Sequence, residues 1–281
     1  MYTVLNQLRV IATVMVYNEA DVIGQLLKHL DRQGIYFVVL DGGSEDGSIE
    51  IVQQYRGLRL LEHRIVRRDS FSLKKDLECS LEMARKYHPD WILRNDADEF
   101  LESAAGGTLA QEIANEDHRG YNLIQFNNFE FCLTERELNN RENNVRKKLR
   151  FYTYSDDFRY RAWKCNPAVS DHNSGGHYPS YPAGIKVKVS PRKFVMRHYR
   201  FRSVQGAMDK VFKNRLPRFA PEERARGWHV HYDHFKKDPR FLILDSGKLS
   251  RYDEDGRWDL TKRHEWYPNL AFARREELFP E

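Results

Sequence analysis

Val10–Val16, VIATVMV, is an almost unbroken apolar run rich in β-branched residues, and Tyr17, Asn18 and Glu19 follow it directly. A run of that length predicts a strand buried on both faces that delivers its carboxyl end to a polar loop. Ile23, Leu26, Leu27 and Leu30 then recur at helical spacing, with Asn18 placed to cap the helix and Glu19 and Asp21 near its positive end. Gly34 closes that helix. Tyr36–Leu40 predicts a second strand that runs into Asp41-Gly42-Gly43-Ser44-Glu45-Asp46-Gly47-Ser48. Ser44 or Asp46 can cap the next helix, which carries Ile49, Ile51, Val52 and Tyr55. Leu58–Leu61 predicts a third short strand, and Leu73, Leu77, Leu81 and Ala84 mark one face of a helix from about Ser72 to Tyr87. Trp91-Ile92-Leu93 is a fourth strand, ending in Asp96, Asp98 and Glu99. Strand and helix alternate throughout, which predicts a mostly parallel sheet covered on both faces.

The pattern changes after about residue 105. Tyr121–Phe131, YNLIQFNNFEF, alternates as a half-exposed strand does, and Val145–Tyr152 alternates basic with apolar residues as another strand would. Leu133–Asn144 between them is polar and reads as a loop able to order over a substrate. Trp163–Tyr181 has little periodicity and holds Asp171, His172 and His177 among aromatic residues. Lys193–Tyr199 predicts a strand ending in His198, and Ser203 caps a helix striped with Val204, Ala207, Met208, Val211 and Phe212. Pro217 ends it. Beyond lie Trp228, His229, His231, Tyr232 and His234, with Trp258 and Trp266 further on. Zinc at the three histidines lacks a supporting cysteine or carboxylate pattern. Stacking on a glycan is the better reading of these rings, and packing of a small C-terminal layer better still.

In a parallel sheet, ligands bind outside the carboxyl ends of the strands. Tyr17-Asn18-Glu19, Asp41 and Asp96-Ala97-Asp98 all fall there. Three carboxylates within four residues repel one another unless a positive charge sits among them, and a divalent cation with oxygen ligands is the simplest candidate. As alternate residues of an extended segment, Asp96 and Asp98 would face one site.

Composition narrows the reading without deciding it. The chain has 281 residues, 41% of them hydrophobic, enough for a large core. No apolar run reaches membrane-spanning length and no secretory leader is apparent, so a cytoplasmic location is expected, with peripheral contact at the inner face of an anionic membrane as an option. Cys79, Cys132 and Cys165 are widely spaced and fit a reducing compartment. A net charge of +5 is small against 31% charged residues. The basic clusters Arg146-Lys147-Lys148-Arg150 and Arg192, Lys193, Arg197, Arg200, Arg202 could meet phosphates, a membrane surface or nucleic acid.

Taken together and in this order, Tyr17-Asn18-Glu19, the Asp41 glycine loop and Asp96-Ala-Asp-Glu-Phe resemble a family-2-type glycosyltransferase with the GT-A fold. The likeness is clear over the first hundred residues and reaches to about residue 215. It implies an α/β protein with a GT-A-like Rossmann-type mixed sheet flanked by helices. It also implies transfer of a sugar from a nucleotide-sugar donor, UDP-sugar foremost, to a glycan or lipid-linked acceptor, as in cell-surface polysaccharide synthesis. The catalytic domain would span 1–216, with a nucleotide-binding half at about 8–105 and an acceptor half at 106–216, and 217–281 would be a C-terminal extension. By the same likeness Val16, Tyr17 and Glu19 would line the nucleotide pocket, Asp41 would bond the base and Asp96 would face the ribose. Lys74 stands where a basic residue often lies near the nucleotide. Asp98 and His198 would ligate Mn2+ or Mg2+, and Arg200 or Arg202 would grip the diphosphate. Asp171 is the candidate base for the acceptor hydroxyl, and His177 would position phosphate or sugar. A nucleotidyl- or phosphotransferase using the same aspartates is the rival enzyme, and a basic nucleic-acid-binding protein the rival outside enzymes; the clustered acids favour the transferase, with no nucleic acid expected.

Overall fold

The computed structural model describes residues 8–235, 242–253 and 257–263. β1 (Val10–Val16), β2 (Tyr36–Asp41), β3 (Leu60–Ile65) and β4 (Trp91–Asp96) alternate with α1 (Ile23–Arg32), α2 (Ser48–Gln53) and α3 (Leu73–Arg85). The four strands are parallel neighbours in the order β3-β2-β1-β4. Seven residues of β1 and β4, Ile11, Ala12, Val14, Trp91, Ile92, Leu93 and Asn95, are wholly buried, as strands covered on both faces must be. Each large apolar side chain so buried contributes about 1.5–3 kcal/mol.

The second half is antiparallel and mixed. β5 (Glu99–Glu102), α4 (Leu109–His118), β6 (Leu123–Cys132), α5 (Val145–Lys148), β7 (Phe151–Lys164) and β8 (Phe194–His198) follow in the chain. α6 (Val204–Asp209), α7 (Pro221–Ala225) and β9 (Ser250–Arg251) complete it. Among the described residues one nine-stranded sheet runs β3-β2-β1-β4-β7-β6-β8-β5, with β9 paired to β7. The sheet is therefore mixed and flanked by helices, as the sequence led us to expect. Only Ala97 and Asp98 separate β4, in the parallel half, from β5, at the far edge of the other half. The sheet has to curl to allow that, and the acidic turn sits where the two halves meet.

Several elements differ from expectation for physical reasons. Asn18 does not cap α1; it adopts φ 54°, and its carboxamide oxygen accepts the Glu45 N–H at 2.9 Å, tying the loop after β1 to the loop after β2. β3 starts at Leu60, because residues 54–58 turn and Leu58 is 59% exposed. β6 is buried nearly throughout, since it lies between β7 and β8. Residues 145–148 form a helical turn capped by Asn144, whose side chain accepts the Arg146 N–H, and the strand begins only at Phe151. β7 also extends to Lys164, so Trp163 belongs to the sheet. Ala97 and Asp98 form a turn instead of continuing an extended segment.

Described residues beyond 217 pack against the rest of the fold. Trp258 stacks on Phe129 at 3.8 Å and on Tyr252 at 4.7 Å between ring centroids, and Arg197 lies over it. Its face is thus taken by core contacts. His229 stacks on Phe219 at 4.2 Å. Trp266 and the side chains of His231 and His234 lie outside the described residues. Glu223 of α7 reaches the amino end of α3, accepting from Ser72 Oγ and Lys74 N at 2.9 Å and from Leu73 N at 3.0 Å. A carboxylate suits the positive end of a helix, and here it fastens the C-terminal segment to α3. The cysteines are free thiols. No described helix is long and apolar enough to cross a membrane.

Candidate functional site

A cavity opens at the carboxyl ends of β1, β2 and β4 and is walled on the far side by β7, β8 and the segment following α6. Val16, Tyr17, Glu19, Asp96, Asp98, His177, His198 and Arg200 all line it. The expected ligand pair comes together from separate segments: His198 Nε2 lies 3.5 Å from Asp98 Oδ1. Asp98 is held by the N–H of Tyr199, which its carbonyl accepts at 2.9 Å. Strand register places Glu99, His198 and Glu130 in one row across β5, β8 and β6. From that row Glu130 Oε2 accepts from His198 Nδ1 at 2.7 Å.

The donor set fits a divalent cation of the magnesium or manganese type. One carboxylate oxygen and one imidazole nitrogen converge, and a second carboxylate orients the ring from behind, as metal-bound histidines require. Among the described residues no group of three or more His, Cys, Asp or Glu is placed to hold a metal. Two protein ligands accord with cations that keep much of their shell for water and phosphate. Burial pulls the His198 pKa down, but Glu130 and Asp98 outweigh it and push it up to about 10. A metal at Nε2 would take the place of that proton.

Other expected residues fall behind the wall. Asp41 is fully buried, and its Oδ1 accepts the N–H groups of Gly43 and Ser44 at 2.8 and 2.6 Å. It shapes the glycine loop, whose Gly42 lines the cavity, while its Oδ2 is buried without a partner. Arg202 is a back support: its Nη2 bonds Glu19 Oε2 at 2.5 Å and its guanidinium also grips Asp21. Lys74 is not among the residues lining the cavity; its Nζ lies 3.8 Å from Glu78 Oε1, one turn further along the same face of α3. Asp171 is 2% exposed and does not line the cavity; its Oδ2 lies 3.9 Å from Arg94 Nε, and burial raises its pKa more than Arg94 lowers it. In this geometry Asp171 is a partner for Arg94 rather than a carboxylate presented to a substrate.

The sequence reading missed the cations that make these acids tolerable. Arg94 and Arg161 are each almost fully buried. Arg94 Nη2 donates to Asp96 Oδ1 at 2.8 Å, and Arg161 bonds Glu99 and the Gly176 carbonyl. Burial raises the Asp96 pKa, but the two arginines overcome this and bring it down to about 2. Lys210 Nζ sits 2.7 Å from both Asp98 Oδ2 and Glu19 Oε1. Burial opposes ionisation of Asp98, yet Lys210 and then His198 hold its carboxyl well below the usual range. Arg215 and Arg218 line the cavity too, with Arg218 3.7 Å above the Tyr17 ring. A signal existed for one buried cation: Arg94 follows directly on the apolar run Trp91-Ile92-Leu93, within a strand expected to be buried on both faces. A charge in such a place needs a buried partner.

Arg192, Arg197, Arg200 and Arg202, which suggested a basic face, pair with Glu112, Glu102, Glu130 and Glu19 respectively. Arg197 is buried and Arg202 nearly so in these pairs, Arg200 lines the cavity from its pair, and Arg192 stays partly exposed.

The profile of glycosyl transferase family 2 matches residues 12–170, and the chain belongs to that family. Among solved structures it is similar to S. aureus TarS (14% identity over 74% of this chain and 40% of that one, TM-score 0.42). It is also similar to residues 1–349 of S. aureus TarS in complex with UDP (22% identity, 48% and 38% covered, TM-score 0.33). A third likeness is to the same TarS fragment in complex with UDP-GlcNAc (22% identity, 48% and 36% covered, TM-score 0.34). The chain thus spans well under half the length of these relatives. No curated protein matches it.

Proposed function

We propose that this protein transfers a sugar from a nucleotide-sugar donor, with UDP as the leading nucleotide, to a glycan or lipid-linked acceptor. The observation that carries the reading is the meeting of Glu19, Asp98 and His198, from three separate segments, at the carboxyl edge of the parallel strands. The nucleotide would lie over Val16, Tyr17 and Gly42, with Asp41 shaping the loop beneath the base. Its diphosphate would point toward Asp98, His198, Lys210 and Arg215. A divalent cation held by Asp98 and His198 would neutralise the charge that develops on the diphosphate as the glycosyl bond breaks. Glu130 keeps His198 turned toward Asp98. Arg94 and Arg161 hold Asp96 ionised at the ribose side. Arg159 contacts His177, so these two would form the wall nearest the sugar or acceptor. Cell-surface polysaccharide synthesis is the setting this substrate class suggests.

The test is calorimetry with UDP, GDP, CMP and dTDP with and without Mn2+, followed by product analysis with the matching sugar nucleotides. Metal-dependent binding of a nucleoside diphosphate and its release from the sugar nucleotide are expected. Release of a nucleoside monophosphate with sugar phosphate, or no binding at all, would count against a glycosyltransferase.

A further inference from the structure

We infer that Lys210 is a built-in counter-cation that competes with the divalent metal for Asp98, so that metal enters with the diphosphate rather than ahead of it. The inference rests on the reading of Asp98 as a metal ligand. Lys210 is buried, and its ammonium bridges Asp98 Oδ2 and Glu19 Oε1, 2.7 Å from each. Asp98 Oδ1 faces the imidazole of His198. Arg202 already occupies the other oxygen of Glu19. Every carboxylate oxygen in this pair therefore faces a cationic or protonatable group.

A magnesium ion bonds a carboxylate oxygen at roughly 2.0–2.1 Å. An ammonium close against the same carboxylate would then lie within a few ångströms of a doubly charged ion, in a poorly screened interior where like charges repel strongly. A metal on Asp98 Oδ1 thus binds more weakly while Lys210 stays on Oδ2. A diphosphate gives the displaced ammonium a new anion nearby, so nucleotide and metal favour each other's binding. The backbone has a feature suited to that movement. Lys210 is the first residue of a π-helical turn, Lys210–Arg215, interposed after α6. Such turns break the regular helical register and occur often at functional sites. Arg215, at the other end of the turn, lines the same cavity.

Mn2+ binding to the full-length protein can be followed by the loss of the free-ion EPR signal, with and without UDP. Wild type should take up bare Mn2+ weakly and more tightly with UDP. Lys210→Gln, which keeps a hydrogen-bond donor toward both acids, should bind bare Mn2+ at least tenfold more tightly and show less enhancement by UDP. Lys210→Arg, which keeps the charge, should resemble wild type. If Lys210→Gln does not fold, the charge-balanced double variant Lys210→Met, Glu19→Gln carries the same expectation of tightened bare Mn2+ binding. Unchanged or weaker bare Mn2+ binding in the folded Lys210→Gln variant overturns the competition. Asp98→Asn separates this from the underlying reading: if it abolishes Mn2+ uptake while Lys210→Gln matches wild type, the metal site stands and the role of Lys210 falls. If Asp98→Asn leaves uptake intact, both fall.

Discussion

The two halves of the sheet solve opposite electrostatic problems. The parallel half, β3-β2-β1-β4, brings acids to its strand ends: Asp41, Asp96 and, just beyond, Glu19 and Asp98. The second half and the segment after it bring cations: Arg161 from β7, His198 from β8, and Lys210 and Arg215 after α6. Neither set would be stable alone in a buried place, because an unpaired buried charge costs several kcal/mol. The site is therefore a product of the junction. Asp98 is held ionised by Lys210 and His198, each a hundred or more positions away in the chain, and Asp96 by Arg94 on its own strand together with Arg161 from β7.

The largest test of this contrast removes a cation. Arg161→Ala would leave Glu99 and Asp96 short of a partner, and we expect a loss on the order of 3–5 kcal/mol, read from urea denaturation. A stability within about 0.5 kcal/mol of wild type, the range of ordinary surface changes, would show that the junction does not depend on it. Next, Trp258→Ala should cost about 3 kcal/mol, the low end for an aromatic truncation because the ring is only partly buried. The same denaturation curves check whether the C-terminal segment is integral to the sheet.

Glu223→Gln gives a smaller, pH-dependent effect. Burial raises the Glu223 pKa, but hydrogen bonds from Lys74, His229, Leu73 and Ser72 hold it below the ordinary value. A depressed folded-state pKa stabilises the protein above the unfolded value, about 4.3, and that stabilisation disappears as pH falls through the folded value. Wild type should lose thermal stability below about pH 4.3 more steeply than Glu223→Gln, and parallel acid limbs would contradict this. The smallest expected effect is that of Lys74→Ala, within about 0.5 kcal/mol for a partly exposed residue and with UDP affinity unchanged by calorimetry. A clear drop in affinity would return Lys74 to the nucleotide site.

How much the sequence disclosed follows the same division. β1, β2 and β4 were legible because strands buried on both faces must be almost continuously apolar, and the acids at their ends stand out against that background. The pairing of Asp98 with His198 was reached through family likeness, although a hundred residues separate them. Less legible was the second half, where residues 145–148 alternate like a strand yet turn as a helix, since one Asn144 cap outweighs four residues of pattern. Asp171 looked available because its loop is polar, but folding puts it beneath Arg94 and away from the cavity. Local periodicity carries no record of such long-range ion pairs. Only Arg94, placed directly after Trp91-Ile92-Leu93 in a buried strand, hinted at them.

The central claim is that Asp98 anchors a cation on which a nucleoside diphosphate rests. It is tested most directly by the thermal shift that UDP with Mn2+ produces in wild type and in Asp98→Asn. The account predicts a Mn2+-dependent shift in wild type and none in the variant, with both folded by circular dichroism; an equal shift in the two proteins would contradict it.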